Sequence, residues 1–319
     1  MEGSSASRHG TAIEPVLFCE DLAFPEGPIA LADGSVIVVE IADGLVDRIL
    51  PNGKKHVIAH VGGGPNGAAI GPDGGIYICN NGGFRWVRQP GHIRAYGQPD
   101  DYTGGRIERV NPSTGKVEVV YDSCDGRKLL GPNDIVFDAH GGFYFTDHGK
   151  IRDRDVDRGS VYYCKADGSL IKEVIHPISL PNGLTLSPDE QTLYVVETET
   201  ARLWRYRIRA PGDLEIHPYP SQNGGAIVYG AGGFVRFDGV KAEADGRLSI
   251  ATLQNGGITT VSPYDGFAEF ISLPDRHTTN MSFGGEDMRT LFVTLSSTGR
   301  LVKLKWPRTG HKLNFVDRI

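Results

Sequence analysis

Six residues that could do chemistry share one setting in this sequence. Glu26, Asn66, Asn133, Asn182, Asp238 and Asn280 each stand just ahead of an apolar stretch, a tight turn and a β-branched or aromatic stretch. The copies read FPEGPIALADGSVIVVE from Phe24, GPNGAAIGPDGGIYICN from Gly64 and GPNDIVFDAHGGFYFTD from Gly131. They continue as LPNGLTLSPDEQTLYVVE from Leu180, FDGVKAEADGRLSIAT from Phe237 and TTNMSFGGEDMRTLFVT from Thr278. All six side chains offer oxygen, two as carboxylates and four as carboxamides. Singly, Asn and Asp are ordinary turn residues. As a set they are different, because turn chemistry alone does not put a glutamate where the other copies have Asn or Asp. Two carboxylates converging in a narrow space repel unless a cation neutralises them. Oxygen donors without His or Cys suit Ca²⁺, Mg²⁺ or Mn²⁺ better than a structural zinc.

Residues so far apart in sequence need a fold that gathers them. The anchors recur at intervals of 40 to 67 residues, a spacing that suits propeller blades. Each unit supplies about four strands, since more strand-like sequence (GLVDRILPNGK, GSVYYCKADGS, RLWRYRIRAPG) follows most copies. The chain is therefore expected to be all-β, a six-bladed β-propeller with four-stranded blades over residues 14–319, preceded by a mobile tail at 1–13. The innermost strand of every blade lines the axis, so anchors at the start of these strands meet at one rim. A strand near Pro15 to Glu20 should pair with the last blade and close the ring, removing exposed sheet edges. The two longest intervals place insertions in blades two and four.

Second strands run antiparallel to first strands, so their ends return to the same rim. Glu40, Asn80 and Asn81, Asp147 and His148, Glu197, Gln254 and Asn255, and Ser296 are expected there. Of these, His148 can donate, accept or move a proton near neutral pH. The segment Gly82 to Gly105 reads as a lid with Phe84 and Trp86 as apolar walls. Ile151 to Gly159 reads as a solvated mixed-charge loop.

Composition narrows the class. The chain carries a net charge of −6 with 43 glycines and 19 prolines spread along it, which implies many short strands and turns. The acidic balance and the lack of a basic stripe argue against nucleic acid or an anionic membrane surface as partner. No run of about 18 apolar residues exists, and the first ten residues lack a signal peptide's apolar core. Cys19, Cys79, Cys124 and Cys164 fit neither a zinc site nor a disulfide framework, so four free thiols in a reducing cytoplasm are expected. There is no GxSxG elbow, phosphate-binding loop or HExxH motif.

The motifs FPEGP, GPND, LPNG and FDG, in this order and over residues 15 to 305, resemble the senescence marker protein/gluconolactonase family. It includes regucalcin, sugar lactonases and organophosphate-hydrolysing propellers. The resemblance implies one divalent metal ion, Ca²⁺ first, with Mg²⁺, Mn²⁺ and Zn²⁺ as alternatives. It implies Glu26, Asn182 and Asp238 as ligands, with Asn133 on the metal or the substrate and Asn66 as a further amide nearby. Asn66, Asn80, Asn133, His148, Phe84 and Trp86 are the expected substrate contacts. The implied reaction is hydrolysis of a small lactone. Asp238 would take a proton from the attacking water, attack covalently, or serve only as a ligand while the ion activates the water. Sugar-lactone members carry an arginine two residues before the third anchor. Gly131 stands there, which points to less hydroxylated γ- or δ-lactones such as valerolactone. Phosphotriester hydrolysis on the same metal is the second enzymatic reading. A protein-binding propeller with a structural metal is the non-enzymatic one, although a pure scaffold has no need to converge Glu26 and Asp238.

Overall fold

The structure, a computed structural model, describes residues 14–319; the expected tail at 1–13 lies outside the described residues. Six antiparallel sheets surround one axis, their strands following sequence order from the centre outward except where the last blade takes its outermost strand from the start of the described chain and blade four adds a further strand beside its third. The innermost strands are Pro25–Ala30, Pro65–Ile70, Pro132–Phe137, Pro181–Leu186, Arg236–Ala242 and Thr278–Gly284. Neighbouring innermost strands pack directly on one another all round the ring. Each is buried almost throughout, as is each second strand, whereas outer strands such as Lys55–His60 are largely exposed.

Alternation along the second strand holds the ring together. Successive side chains point to opposite faces of a strand, and here both faces meet another blade. In Val36–Glu40, Ile37 and Val39 pack towards blade two, while Val36 and Val38 pack against Phe292 and Leu301 of blade six. In the third blade Phe143 and Phe145 face blade two, and Tyr144 faces blade four. The six hydrophobic clusters are thus the six interfaces between blades. Short apolar runs read as buried strands because both of their faces are covered.

Val16–Cys19 pairs antiparallel with Arg300–Lys305, the third strand of the last blade, and closes the ring as expected. The insertions fall in blades two and four. Blade two carries the hairpin Arg85–Gln89 with His92–Tyr96, and blade four delays its outer strand until Ala226–Gly230. The last segment runs across the opposite face of the propeller. His311 N–H donates to Ala242 O, Asn314 Nδ2 donates to Phe137 O, and Leu313 lines the lower end of the axial channel.

Candidate active site

Every blade departs from regular pairing at its anchor. Opposite the second strand, one extra residue is inserted just after Glu26, Asn66, Asn133, Asn182 and Asp238, and just before Asn280. Such bulges re-aim a side chain and leave it unpaired in the ladder. The residue after the anchor is usually glycine because the next blade is in contact. A Cβ on Gly67 would lie 2.5 Å from Asn133 O, and one on Gly183 would lie 2.5 Å from Asp238 O.

Glu26, Asn66, Asn133, Asn182 and Asp238 line one cavity of about 200 Å³ at the rim, and all five are buried. Larger cavities exist elsewhere, but none of them gathers the anchors. Asn280 is the anchor that does not line it. Its Nδ2 donates to Glu26 Oε2 at 2.8 Å and its Oδ1 accepts from Met281 N–H at 2.8 Å, so it sits behind Glu26 and orients it. Asn182 Nδ2 donates to Thr198 Oγ1 at 3.1 Å, which leaves its carbonyl oxygen as the atom able to accept a hydrogen bond or coordinate a cation.

The charges on the axis do not balance. Burial, and then the Asp134 carboxylate, push Glu26 up to about 7, while hydrogen bonds from Gly27 N–H and Asn280 pull it down. Burial, Glu26 and Asp134 raise Asp238 well above the usual carboxylate range. Lys241 is the cation within the channel, and its Nζ is 3.3 Å from Asp134 Oδ2. On the axis itself, among the described residues, three carboxylates therefore face one ammonium, while Lys150 and Arg236 belong to the cavity wall. Among the described residues no cluster of three or more His, Cys, Asp or Glu is placed to hold a metal ion; the donor set at the rim is mixed, two carboxylates with carboxamides. Such a set, buried and short of positive charge, fits a hard divalent cation.

The sequence left Asp134 and Lys241 unremarked. Asp134 follows the third anchor, at a position that is glycine after the other carboxylate and amide anchors of blades one, two, four and five. A carboxylate in a glycine's place was the available signal.

Of the residues expected at the ends of the second strands, Asn81 and His148 line the cavity, whereas Glu40, Asn80, Asp147 and Glu197, each one position earlier, do not. Asn80 does not reach the cavity. Its Oδ1 accepts from Gly64 N–H at 2.9 Å, and its Nδ2 donates to Gly62 O and Glu108 Oε2. Asp147 accepts from Leu130, Gly131 and Gly149 N–H groups, and Glu197 accepts from Ser179 N–H. Glu40 accepts from Ala23 N–H and pairs with Lys55. Each last strand residue turns back to satisfy the loop leading into its own blade. The next residue faces the cavity instead: Ile41, Asn81, His148 and Thr198. Gln254, Asn255 and Ser296 are not part of the lining; Leu253 is.

His148 lines the cavity and is pushed down to about 4, chiefly by burial and then by Lys150, so its imidazole is neutral. Phe84 is a wall. Trp86 is not: it stands behind, its ring 5.2 Å from Phe24 and 5.8 Å from Phe84. The Arg85–Tyr96 hairpin crosses from blade two over its neighbours. Arg88 bonds Ala42 O and Asp43, and Ile93 N–H donates to Ser297 O. In the loop 151–159, Arg152 pairs with Asp155 and Asp157 on the surface, and Ile151 touches the cavity. Gly131 is tightly enclosed, because a Cβ there would lie 2.5 Å from Gly149 O. An arginine at that position would strain the backbone before it reached the cavity. Positive charge arrives instead from Lys150 and from Arg236, which pairs with Glu199.

Two comparisons of sequence bear on this site. "Lactonase drp35" of Staphylococcus epidermidis is 28% identical over 228 residues, which cover 71% of this chain and 62% of that protein. "Lactonase drp35" of Staphylococcus haemolyticus is 30% identical over 235 residues, 73% of this chain and 64% of that protein. The matches thus span less than two thirds of these relatives' length. Among solved structures, a gluconolactonase of Xanthomonas campestris superposes with a TM-score of 0.71 at 21% identity, covering 92% of this chain and 90% of that one. A calcium-binding protein, regucalcin, of Agrobacterium tumefaciens gives 0.68 at 19% identity, with 93% and 99% covered. At these identities the structures share the fold. The SMP-30/gluconolactonase/LRE-like family model matches residues 24–297, and with most of its length inside that match the chain belongs to this family.

Proposed function

We propose that the protein is a hydrolase of small lactones that works with one divalent cation, Ca²⁺ first among the candidates. The observation that carries the reading is the meeting of Glu26 and Asp238 with Asn133 and Asn182 in one buried, charge-imbalanced cavity. These four residues would hold the ion. When bound, it supplies a Lewis acid for the ester carbonyl and for the negative charge that develops on its oxygen.

The protein's own groups do the rest. Phe24, Ile41, Phe84, Leu180 and Leu253 give the ring an apolar berth and exclude bulk water. Asp238 accepts the proton of the attacking water, a role worth roughly a hundredfold to ten-thousandfold in rate. Asn66 and neutral His148 are placed to hydrogen-bond the ester or the ring. The apolar walls and the enclosed Gly131 support γ- and δ-lactones with few hydroxyls over gluconolactone. Four buried, unpaired cysteines support a reducing compartment such as the cytoplasm.

The test is a panel of valerolactone, butyrolactone, gluconolactone and an organophosphate triester, assayed with added Ca²⁺ and with chelator. Metal-dependent opening of the plain lactones, lost in Glu26→Gln, is expected. Turnover of the triester alone would replace the reading, and a clear preference for gluconolactone would remove its substrate part.

A further inference from the structure

Lys150 is only 2% exposed, and lysine is rarely buried unless paired. Among the described residues its ammonium makes one hydrogen bond, to Gly83 O at 2.8 Å, and lies 4.9 Å from the ring centroids of both Phe84 and Tyr102. The carboxylates nearest to it are already engaged. Asp147 accepts three backbone N–H groups, and Asp157 is bound by Arg152. Burial pushes Lys150 down to about 8 despite those two acids. A cation held between two aromatic faces without an anion is a recognition device in search of one.

A second donor stands beside it. Asn81 is 3% exposed, and its Oδ1 accepts from Gly83 N–H at 2.8 Å, which settles the orientation of the amide. Its Nδ2 is buried with no partner. A buried donor left without a partner is costly, and a ligand acceptor removes that cost. Gly83 therefore holds both groups, Asn81 by its N–H and Lys150 by its carbonyl, and both line the cavity that contains Glu26 and Asp238. Two donors on one wall, one of them cationic, match a planar acceptor carrying negative charge.

We propose that Lys150 and Asn81 form a subsite for a carboxylate, so that the preferred substrate is a small, sparsely hydroxylated lactone bearing an acidic substituent. The lactone half of this statement rests on the function proposed above; the carboxylate half does not. Binding of a ring that cannot be hydrolysed separates them. With Ca²⁺ present, the full chain is titrated calorimetrically with 3-oxocyclopentanecarboxylate and with its methyl ester. The acid is expected to bind at least about tenfold more tightly than the ester, the scale of one charge-assisted hydrogen bond. Lys150→Met should abolish that preference and leave the ester within about twofold, and Asn81→Leu should reduce it. Lys150→Gln, which keeps a donor for Gly83 O, guards against a folding defect and should also lose the preference. No detectable binding, equal binding of acid and ester, or a preference that survives Lys150→Met overturns the subsite. If the acid is preferred through Lys150 yet neither plain nor carboxylated lactones are opened, the subsite stands and the hydrolase reading falls. If plain lactones are opened and the acid gains nothing, the reverse holds.

Discussion

The two ends of the axial channel are built from the same strands and treat charge in opposite ways. Below, Asp134 meets Lys241 at 3.3 Å, and Leu313 of the C-terminal segment lines the space beside them. Above, Glu26 and Asp238 face a cavity in which neither forms an ion pair among the described residues, and Lys241 acts on both only through space. Asp238 and Lys241 lie on one strand, three residues apart. Desolvating a lone carboxylate is costly, so the lower end carries its own counter-charge and the upper end leaves that place to a ligand. Stability is thus expected to depend on the lower pair, and catalysis on the upper one.

The largest effect should come from Asp238→Asn. The amide still offers oxygen to an ion but cannot take a proton. With occupancy confirmed by calorimetry, turnover should fall by roughly a hundredfold to ten-thousandfold. Turnover near that of the wild type at full occupancy would reduce Asp238 to a ligand.

Lys241→Met should act on folding instead. It leaves Asp134 buried without its partner, which costs about 3–5 kcal/mol when one member of a buried pair is removed. Adding Asp134→Asn should recover much of that loss, because Asn keeps an acceptor for Ile135 N–H. Equal denaturant midpoints for wild type and Lys241→Met would erase the distinction between the two ends.

Protons should compete with the ion at the upper end. Glu26 is raised to about 7, and an ion binds the carboxylate, not the acid. Below pH 7 each unit of acidification therefore places about a tenfold greater demand on the ion through Glu26 alone, and with Asp238 also raised Ca²⁺ affinity should fall by at least about tenfold per unit between pH 7 and 5.5. Raising the pH above 7 should restore it. A flat affinity over this range removes Glu26 from the ligand set.

The smallest effect belongs to the groups behind the site. Asn280→Ala removes the amide that holds Glu26 Oε2. One hydrogen bond to a charged group is worth about 1.5–3 kcal/mol at most. Ca²⁺ affinity should drop by about tenfold, with turnover at saturating Ca²⁺ unchanged. A loss of turnover that saturating Ca²⁺ does not repair would place Asn280 in the chemistry itself.

Much of the architecture was legible because it is written in local patterns. The repeat, the turns and the paired apolar stretches at Val36–Glu40 and Gly142–Asp147 specify strands buried on both faces, and such strands have few arrangements other than blades around an axis. The anchors were legible because each stands at the same phase of its repeat. That phase is as far as one sequence reaches. Whether Asn80 or Asn81 faces the cavity is a matter of a single residue, and a single residue reverses the side of a strand. Asn80 turns back because the loop entering its blade leaves Gly64 N–H to be satisfied, a need that exists only once the loop is in place. Asn280 likewise looks like its five counterparts in sequence, and only its contact with Glu26 across the ring closure makes it a support.

What the sequence by itself determined about this protein is the number of blades, the oxygen chemistry of the anchors and the common rim they share, since these follow from periodicity and residue type. The tertiary structure alone decided which charges meet. Lys241 is drawn to Asp134 across 107 positions of chain, and Lys150 is enclosed by Phe84 and Tyr102 of another blade. No local propensity encodes such meetings. They arise where closure of the ring removes water and each buried charge must find a partner or await one.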